Sequence, residues 1–580
     1  VKVVPGSEVA RSPASERSIA APLFRHRLFV VVLVPAVVLR GTTMLGFRWI
    51  LWFNDSYQYL QFAVGAFRPD PTRPSGYSVY LRLLEPLHSF AVVAVSQHLM
   101  GLGIGVMIYA LLVHRFKVPL WIATLAAVPA LYDAYQIQLE HLLMADTLFA
   151  FLLSAAITVA MWRPKPGIAQ MAAAGLLLGL AAVTRSVGLP LLGVLIVYMF
   201  IRRAGLRAIA AGIVACAVPV AGYMLWFNAW YNQFAMTQST GVFLYARVMA
   251  FADCRKLALP VDEEALCTSA PPSRRLLSQD YIWDHDAPLR RFPPPEFSPL
   301  TNRLAKGFAT RAIKTQPLDY ARVVWDDSWR SFDWKRKVFP DPITYGEYVF
   351  ASASGGPAQK PATGHGFGTR FSVPHFADGS GITHVVSPYA GIMRGYQKYV
   401  FLPGTILGVL LAIGLGGMAV AWRRLGGEIL LPLAVAVAMI VLPAATAEFD
   451  YRYLLPVVPF ACLATGMVFG AGHPIGDRLA ARRARRVASA GVQAEVRDPA
   501  AATCTVLPAQ PADVAPDGLV GGEHAGEETA AVVVADPPLV RPPDAARPGV
   551  ATDAAPSGTA NLPTAPSGTA SRPGRGHRGT

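Results

Sequence analysis

The stretch 28-LFVVVLVPAVVLRGTTMLGF-47 is long and apolar enough to cross a bilayer as a helix, and it is followed at once by 52-WFNDSYQYLQFAVG-65, which sets Asp55 among aromatics. Runs of this kind recur along the chain with lengths of roughly 18 to 25 residues, the span of a hydrocarbon core of about 30 Å. Of the 580 residues 53% are hydrophobic and 15% charged, far less charge than a soluble chain of this size carries. The reading is an all-α polytopic membrane protein with about ten transmembrane helices, near 28–47, 88–113, 118–134, 142–161, 168–184, 187–201, 208–227, 399–421, 429–446 and 453–471.

The net charge of +15 resolves by position. Basic residues gather at Arg25 and Arg27, Arg115 and Lys117, Arg163 and Lys165, Arg202, Arg203 and Arg207, Arg423 and Arg424, and 482-RRARR-486. With the N-terminus inside, these clusters fall on the cytoplasmic side of the even-numbered spans, as the positive-inside rule requires. They have no groove-reading neighbours on a soluble domain, so nucleic acid is not an expected partner. Arg48, Arg68, Arg73 and Arg82 run against the rule, because they lie on the other side. The first run carries Arg40 and no small-residue cleavage site, and is expected to stay as a signal anchor.

The chain divides into five segments: a cytoplasmic N-terminal segment 1–27, a transmembrane module 28–227, an extracytoplasmic domain 228–397, a second transmembrane module 398–471 and a cytoplasmic tail 472–580. The insertion 228–397 has helical spacing over 301–332 and a Gly/Pro-rich loop at 352–368. The tail is rich in Ala, Pro and Gly, repeats PSGTA at 556–560 and 566–570, and is expected to be disordered. Among the five cysteines, Cys254 and Cys267 share one polar loop, where they either pair in an oxidising exterior or remain free thiols. The Ala, Gly, Pro and Arg usage points to a high-GC bacterial source.

Polar residues at membrane level converge on the outer side. Asp55 follows the first span, Glu140 and His141 precede the fourth, Asp146 lies one turn inside it, Arg185 joins the fifth and sixth, and Asp450 and Arg452 join the ninth and tenth. Ionisable groups at this depth are costly and usually line a cavity or pathway. Asp55 either caps the helix 55–63 or serves chemistry, and the two are compatible. Glu140 and His141 are site candidates or solvated loop residues; Arg185 contacts a ligand or snorkels to headgroups; Arg452 binds a ligand or pairs with Glu448 or Asp450. Asp146 must find a partner in a low-dielectric span. No Walker, GxGxxG, GxSxG or HExxH motif is present, and His141 and His384 stand without metal-ligand spacing. The segment 325-WDDSWRSFDW-334 suits either sugar binding or, the reading preferred, a helix packed by its tryptophans on the membrane rim.

Together, Asp55 in 54-NDSYQYL-60, 73-RPSGYSVYLRLL-84, 140-EHLLMADTLFAFL-152, 184-TRSVGLPLL-192 and 450-DYRYLLPVVP-459 resemble the GT-C membrane glycosyltransferases that use lipid-phosphate-linked sugars, including protein mannosyltransferases and aminoarabinose transferases. The resemblance covers most of 28–471 but neither the insertion nor the tail. It implies an inverting transfer on the outer leaflet, from a polyprenyl-phosphate sugar to an extracytoplasmic cell-envelope acceptor (lipid, glycan or protein). Asp55 resembles the first-loop acid of that family, with Tyr57 close by. Arg185 and Arg452, with Arg247 and Lys398 behind them, are the cations expected to hold the donor phosphate. Asn54 stands where the mannosyltransferases have a second acid, so a divalent metal is a possible cofactor and no more. A transporter or lipid flippase is the alternative, with polar groups expected near the midplane on broken helices; a non-catalytic envelope scaffold is a third reading.

Overall fold

The computed structural model describes residues 26–497 except 66, 293–296, 357–366 and 426, with backbone only over 367–371 and 487–497. The N-terminal segment, Cys504, most of the 352–368 loop and the tail beyond 497 lie outside the described residues.

The chain forms a polytopic helical bundle. Among the described residues four helices are long and apolar enough to cross a membrane: α1 (Arg27–Gly46), α4 (Phe90–Ala110, continued by a wider turn to Arg115), α10 (Leu206–Tyr231) and α15 (Gly404–Leu425). Five shorter apolar helices stand among them: α5 (Leu120–Tyr132), α7 (Ala145–Met161), α8 (Ile168–Thr184), α9 (Gly188–Ile201) and α16 (Leu430–Thr446). The last expected span is broken, with Tyr451–Leu454 leading through a tight turn containing Pro456 into α17 (Val458–Met467). Here 455-LPVVP-459 supplies two prolines that lack the amide N–H a continuous helix needs.

Between lipid-like surfaces the helices pack by shape. Helices α8 and α10 run against each other through 175-GLLLG-179, where a methyl added at Gly175 would strike the Gly212 carbonyl and one at Gly179 the Cys216 carbonyl. Small residues four apart let two backbones approach, the usual device where no hydrophobic force drives association. A contiguous apolar core runs from Phe29 through α4, α5, α7 and α17 to Val468.

The first loop carries two short helices, α2 (Ser56–Ala63) and α3 (Gly76–Leu84). It is pinned across the loop between α6 (Ala134–Glu140) and α7 by Leu51 N–H to His141 O (2.8 Å) and Leu143 N–H to Leu51 O (3.1 Å). Its strand β1 (Phe47–Arg48) pairs antiparallel with β2 (His384–Val385) of the insertion. Gly76 is seated against Val183 and Thr184 with no room for a side chain, which sets α3 beside the end of α8.

The insertion is partly helical. Helices α11 (Thr240–Val248) and α12 (Pro299–Thr315) enclose a separate core around Tyr245, Leu266 and Phe308, closed by a Cys254–Cys267 disulfide. Next come α13 (Pro317–Arg330) and, before the second bundle segment, α14 (Tyr389–Tyr399). One expectation is corrected at the far end. The chain continues as helix α18 (Pro474–Arg497) into the stretch expected to be disordered, because its alanines and arginines are strong helix formers whatever surface they bury.

Candidate functional site

Asp55 stands at the turn into α2, yet its side chain makes no capping bond. The carboxylate faces two guanidiniums: Arg73 Nη1 lies 2.8 Å from Oδ1 and Arg452 Nη1 2.7 Å from Oδ2. The α2 entry is secured by Ser56, whose Oγ accepts from Phe53 N–H at 2.9 Å, leaving Asp55 to other work. Burial pushes the Asp55 carboxyl up, but Arg73 and Arg452 more than reverse this and hold it well below the usual carboxylate range. Its side chain keeps 19% of its surface open.

Arg452 is itself held from three sides. Its Nε lies 2.8 Å from Asp450 Oδ2, and its guanidinium carbon stands 4.9 Å from the Phe53 ring centre and 5.2 Å from that of Tyr453. Asp450 caps the short helix that follows by accepting from Arg452 N–H, and also accepts a short bond from the Tyr348 hydroxyl. Tyr453 joins this group to a second ion pair. Arg185, at the end of α8, lies 4.9 Å over the same ring, with Nη1 2.6 Å from Oδ1 of Asp146. Asp146 is 1% exposed in the first turn of α7, and its Oδ2 is buried with no hydrogen-bond partner. Arg73 stacks 5.4 Å over Tyr59, which senses Asp55, Asp146, Arg73 and Arg185 together.

The structure therefore brings together Asp55, Asp146, Arg185, Asp450 and Arg452, all legible in the sequence, and adds Arg73, which the sequence marks only as a charge on the unexpected side. That breach of the charge rule is the signal. Asp70, close to Arg73, is buried and pushed up to about 6 by that burial despite the nearby guanidinium.

Other candidates go elsewhere. Glu140 is fully buried, paired through both oxygens with Arg40 (2.8 Å each) and approached by His98 Nδ1 at 2.9 Å. His141 Nδ1 meets His98 Nε2 at 3.0 Å, and its Nε2 meets Phe47 O at 2.6 Å. These residues are neither solvated nor joined to Asp55; an arginine inside an apolar run had to recruit an acid, and Glu140 is that acid. Arg247 is drawn to Asp327 (2.8 Å), whose same oxygen accepts from Phe449 N–H, so it props the loop before Asp450 instead of facing the cluster. Lys398 is exposed, 5.5 Å over Tyr399. Tyr57 stacks on Trp52 at 5.3 Å. Glu448 forms no pair with Arg452; burial, with Asp450 and Asp327 nearby, pushes its carboxyl up to about 8.

Among the described residues no three His, Cys, Asp or Glu side chains converge as a metal site. Both Asp55 oxygens are engaged by cations, a donor set that repels a further cation.

No family model matches the chain, and no curated protein does. Among solved structures it is similar to the Pmt1-Pmt2 protein O-mannosyltransferase complex of S. cerevisiae bound to the sugar donor, at 16% identity over 39% of this chain and 36% of that one, TM-score 0.29. ArnT from Cupriavidus metallidurans bound to undecaprenyl phosphate is 15% identical over 77% of this chain and 78% of that one, TM-score 0.31. The oligosaccharyltransferase AglB from Archaeoglobus fulgidus, in complex with an inhibitory peptide and a dolichol-phosphate, is 13% identical over 80% of this chain and 52% of that one, TM-score 0.35.

Proposed function

We propose that this chain is an integral-membrane glycosyltransferase that takes a sugar from a polyprenyl-phosphate-linked donor and gives it to an extracytoplasmic acceptor. The observation that carries the reading is the Asp55 carboxylate held between Arg73 and Arg452, with the Arg185–Asp146 pair across Tyr453. An inverting transfer needs these two kinds of group. A carboxylate takes the acceptor O–H proton as the acceptor oxygen bonds to the anomeric carbon. The bond from that carbon to the phosphate oxygen breaks, its electron pair stays on the phosphate, and fixed cations stabilise the charge that develops there.

The cluster lies at helix ends: Asp55 after α1, Arg185 after α8 and Asp450 after α16. A transporter would place such groups near the midplane, whereas these gather where spans begin and end, Arg452 standing on the short segment ahead of the break in the last span. The Cys254–Cys267 bridge in the insertion supports an oxidising compartment on that side. The donor set around Asp55 favours a reaction without a metal ion.

The test incubates purified, reconstituted protein with radiolabelled polyprenyl-phosphate sugars and membrane extract, following label into a non-lipid or larger lipid product. Transfer that persists in chelator is expected. Label that crosses the bilayer still attached to its lipid would make the protein a flippase, and activity lost to chelator and restored by a divalent ion would put a metal in the site.

A further inference from the structure

Helix α13 has an outer face that the bundle does not use. Leu318, Arg322, Trp325 and Trp329 recur at spacings of four, three and four, one stripe on a helix of 3.6 residues per turn. Leu318 is 84% exposed, Trp325 63% and Trp329 59%, and the two indoles stack on each other at 5.6 Å. The tryptophans do not pack the helix onto the protein, which leaves the membrane rim, the surface their spacing was read to meet, as the side they face. The opposite face does, through buried Asp327 and half-buried Tyr320 and Val323.

That inner face fixes the height of the helix. The Tyr320 hydroxyl donates to Ala445 O (2.9 Å) at the end of α16. Just beyond α13, Gly404 N–H donates to Asp333 O (3.1 Å), Thr405 Oγ1 donates to Phe332 O (2.8 Å), and the Phe332 ring covers Gly408 of α15. The helix thus crosses the ends of two apolar spans, whose outward Val409 and Val437 are also exposed. About a quarter-turn from the stripe, Asp319 and Asp326 form an exposed acidic flank. Exposed Trp334, Lys335 and Lys337 come after the helix. Indoles at the level where spans end, with Arg322 among them and lysines just beyond, are the composition of a helix lying in a bilayer interface.

We propose that α13 is an interfacial helix whose Leu318–Trp325–Trp329 stripe is inserted at the headgroup–acyl boundary of the leaflet on the insertion side. Arg322, on the edge of the stripe, lays its stem along the apolar face and keeps its charge at the headgroups. The docking reaches the candidate site through Asp327, which bonds Phe449 N–H, one residue before Asp450. The bilayer surface then sets the position of the loop that presents Asp450 and Arg452. The proposal rests on the membrane bundle and not on glycosyl transfer.

The test uses the full chain with Cys216, Cys462 and Cys504 replaced by alanine. It is reconstituted in liposomes and spin-labelled singly through Leu318→Cys, Trp325→Cys, Trp329→Cys or, as the water reference, Asp326→Cys. Collision with oxygen relative to a water-soluble nickel complex should be several-fold higher at the three stripe positions than at Asp326. Ratios equal to the Asp326 value would make the stripe a water-facing surface for a soluble partner, and protection from both reagents would mean protein covers it; either overturns the proposal. A second measurement needs no label. Brominated lipids should quench the intrinsic fluorescence of the unmodified protein more than that of Trp325→Phe/Trp329→Phe, and equal fractional quenching refutes insertion.

Discussion

Replacing Asp55 by asparagine separates chemistry from architecture at the point where the two are hardest to tell apart. The side chain makes no capping bond, so the substitution removes charge without unfastening α2. It also turns an amide N–H₂ toward one of two guanidiniums that had faced a carboxylate oxygen. A buried pair broken on one side costs about 3 to 5 kcal/mol, and an exposed pair roughly 0 to 1. Asp55 keeps 19% exposure and Arg452 keeps Asp450, so only Arg73 loses its one ion-pair partner. About 2 kcal/mol of stability is the expected loss, small enough to leave a folded protein. Loss of the proton acceptor should cost turnover about 10² to 10⁴-fold. Asp55→Glu, which restores charge but moves it by one methylene, should recover stability more fully than turnover. The assay is label transfer from the polyprenyl-phosphate sugar, run beside a thermal unfolding curve in the same detergent. A well-folded Asp55→Asn protein turning over at the unmutated rate refutes the assignment and sends the search for the base to Asp146 or Asp450.

Arg73→Gln should raise the donor KM and lower kcat together, because charge on the phosphate grows along the reaction; an unchanged KM in a steady-state titration of the lipid donor would remove Arg73 from the site. Glu140→Gln leaves Arg40 and His98 facing a neutral amide in the bundle and should cost about 3 to 5 kcal/mol, read as a fall in detergent melting temperature; full stability would show that the network is not needed. Stability should also depend on pH through Glu448. Its carboxyl is pushed up from 4.5 to about 8, so between those values the folded state holds a proton that the unfolded chain has lost, and stability falls as pH rises through that window. Glu448→Gln should flatten that slope, and an unchanged profile would place the titration elsewhere.

Much of this is legible in sequence because a bilayer imposes simple demands. Apolar runs of the right length mark the spans, and charges at their ends mark Asp55, Asp146, Arg185, Asp450 and Arg452. What sequence withholds is pairing. Asp55 and Arg452 are 397 positions apart, and nothing local says that they meet. Glu140 groups with Asp146 as a neighbour along the chain, yet a helix start between them turns one toward Arg40 and the other toward Arg185. Arg40 holds the clue, since an arginine inside an apolar run needs a buried acid. The stripe of α13 is visible too, but periodicity reports that a helix has an apolar face and not whether protein or lipid covers it.

The pairing also bears on how the site would work. Asp55 comes from the loop after the first span and Arg452 from the loop before the last, so the carboxylate and its clamp are assembled only when both ends of the bundle are in place. While clamped, the carboxylate is held well below its usual range, ionised but a weak base. A donor phosphate attracts the same guanidiniums, and each hydrogen bond they transfer to it is withdrawn from Asp55. The carboxylate then becomes more basic as the donor settles, at about 1.4 kcal/mol for each unit of pKa regained. Asp450 would keep Arg452 in position through this exchange, since its ion pair at Nε (2.8 Å) would leave Nη1 free to turn from Asp55 to phosphate. On the proposed function, the arrangement would tie activation of the base to arrival of the lipid, so that the carboxylate would reach full strength only beside a donor it could help to cleave.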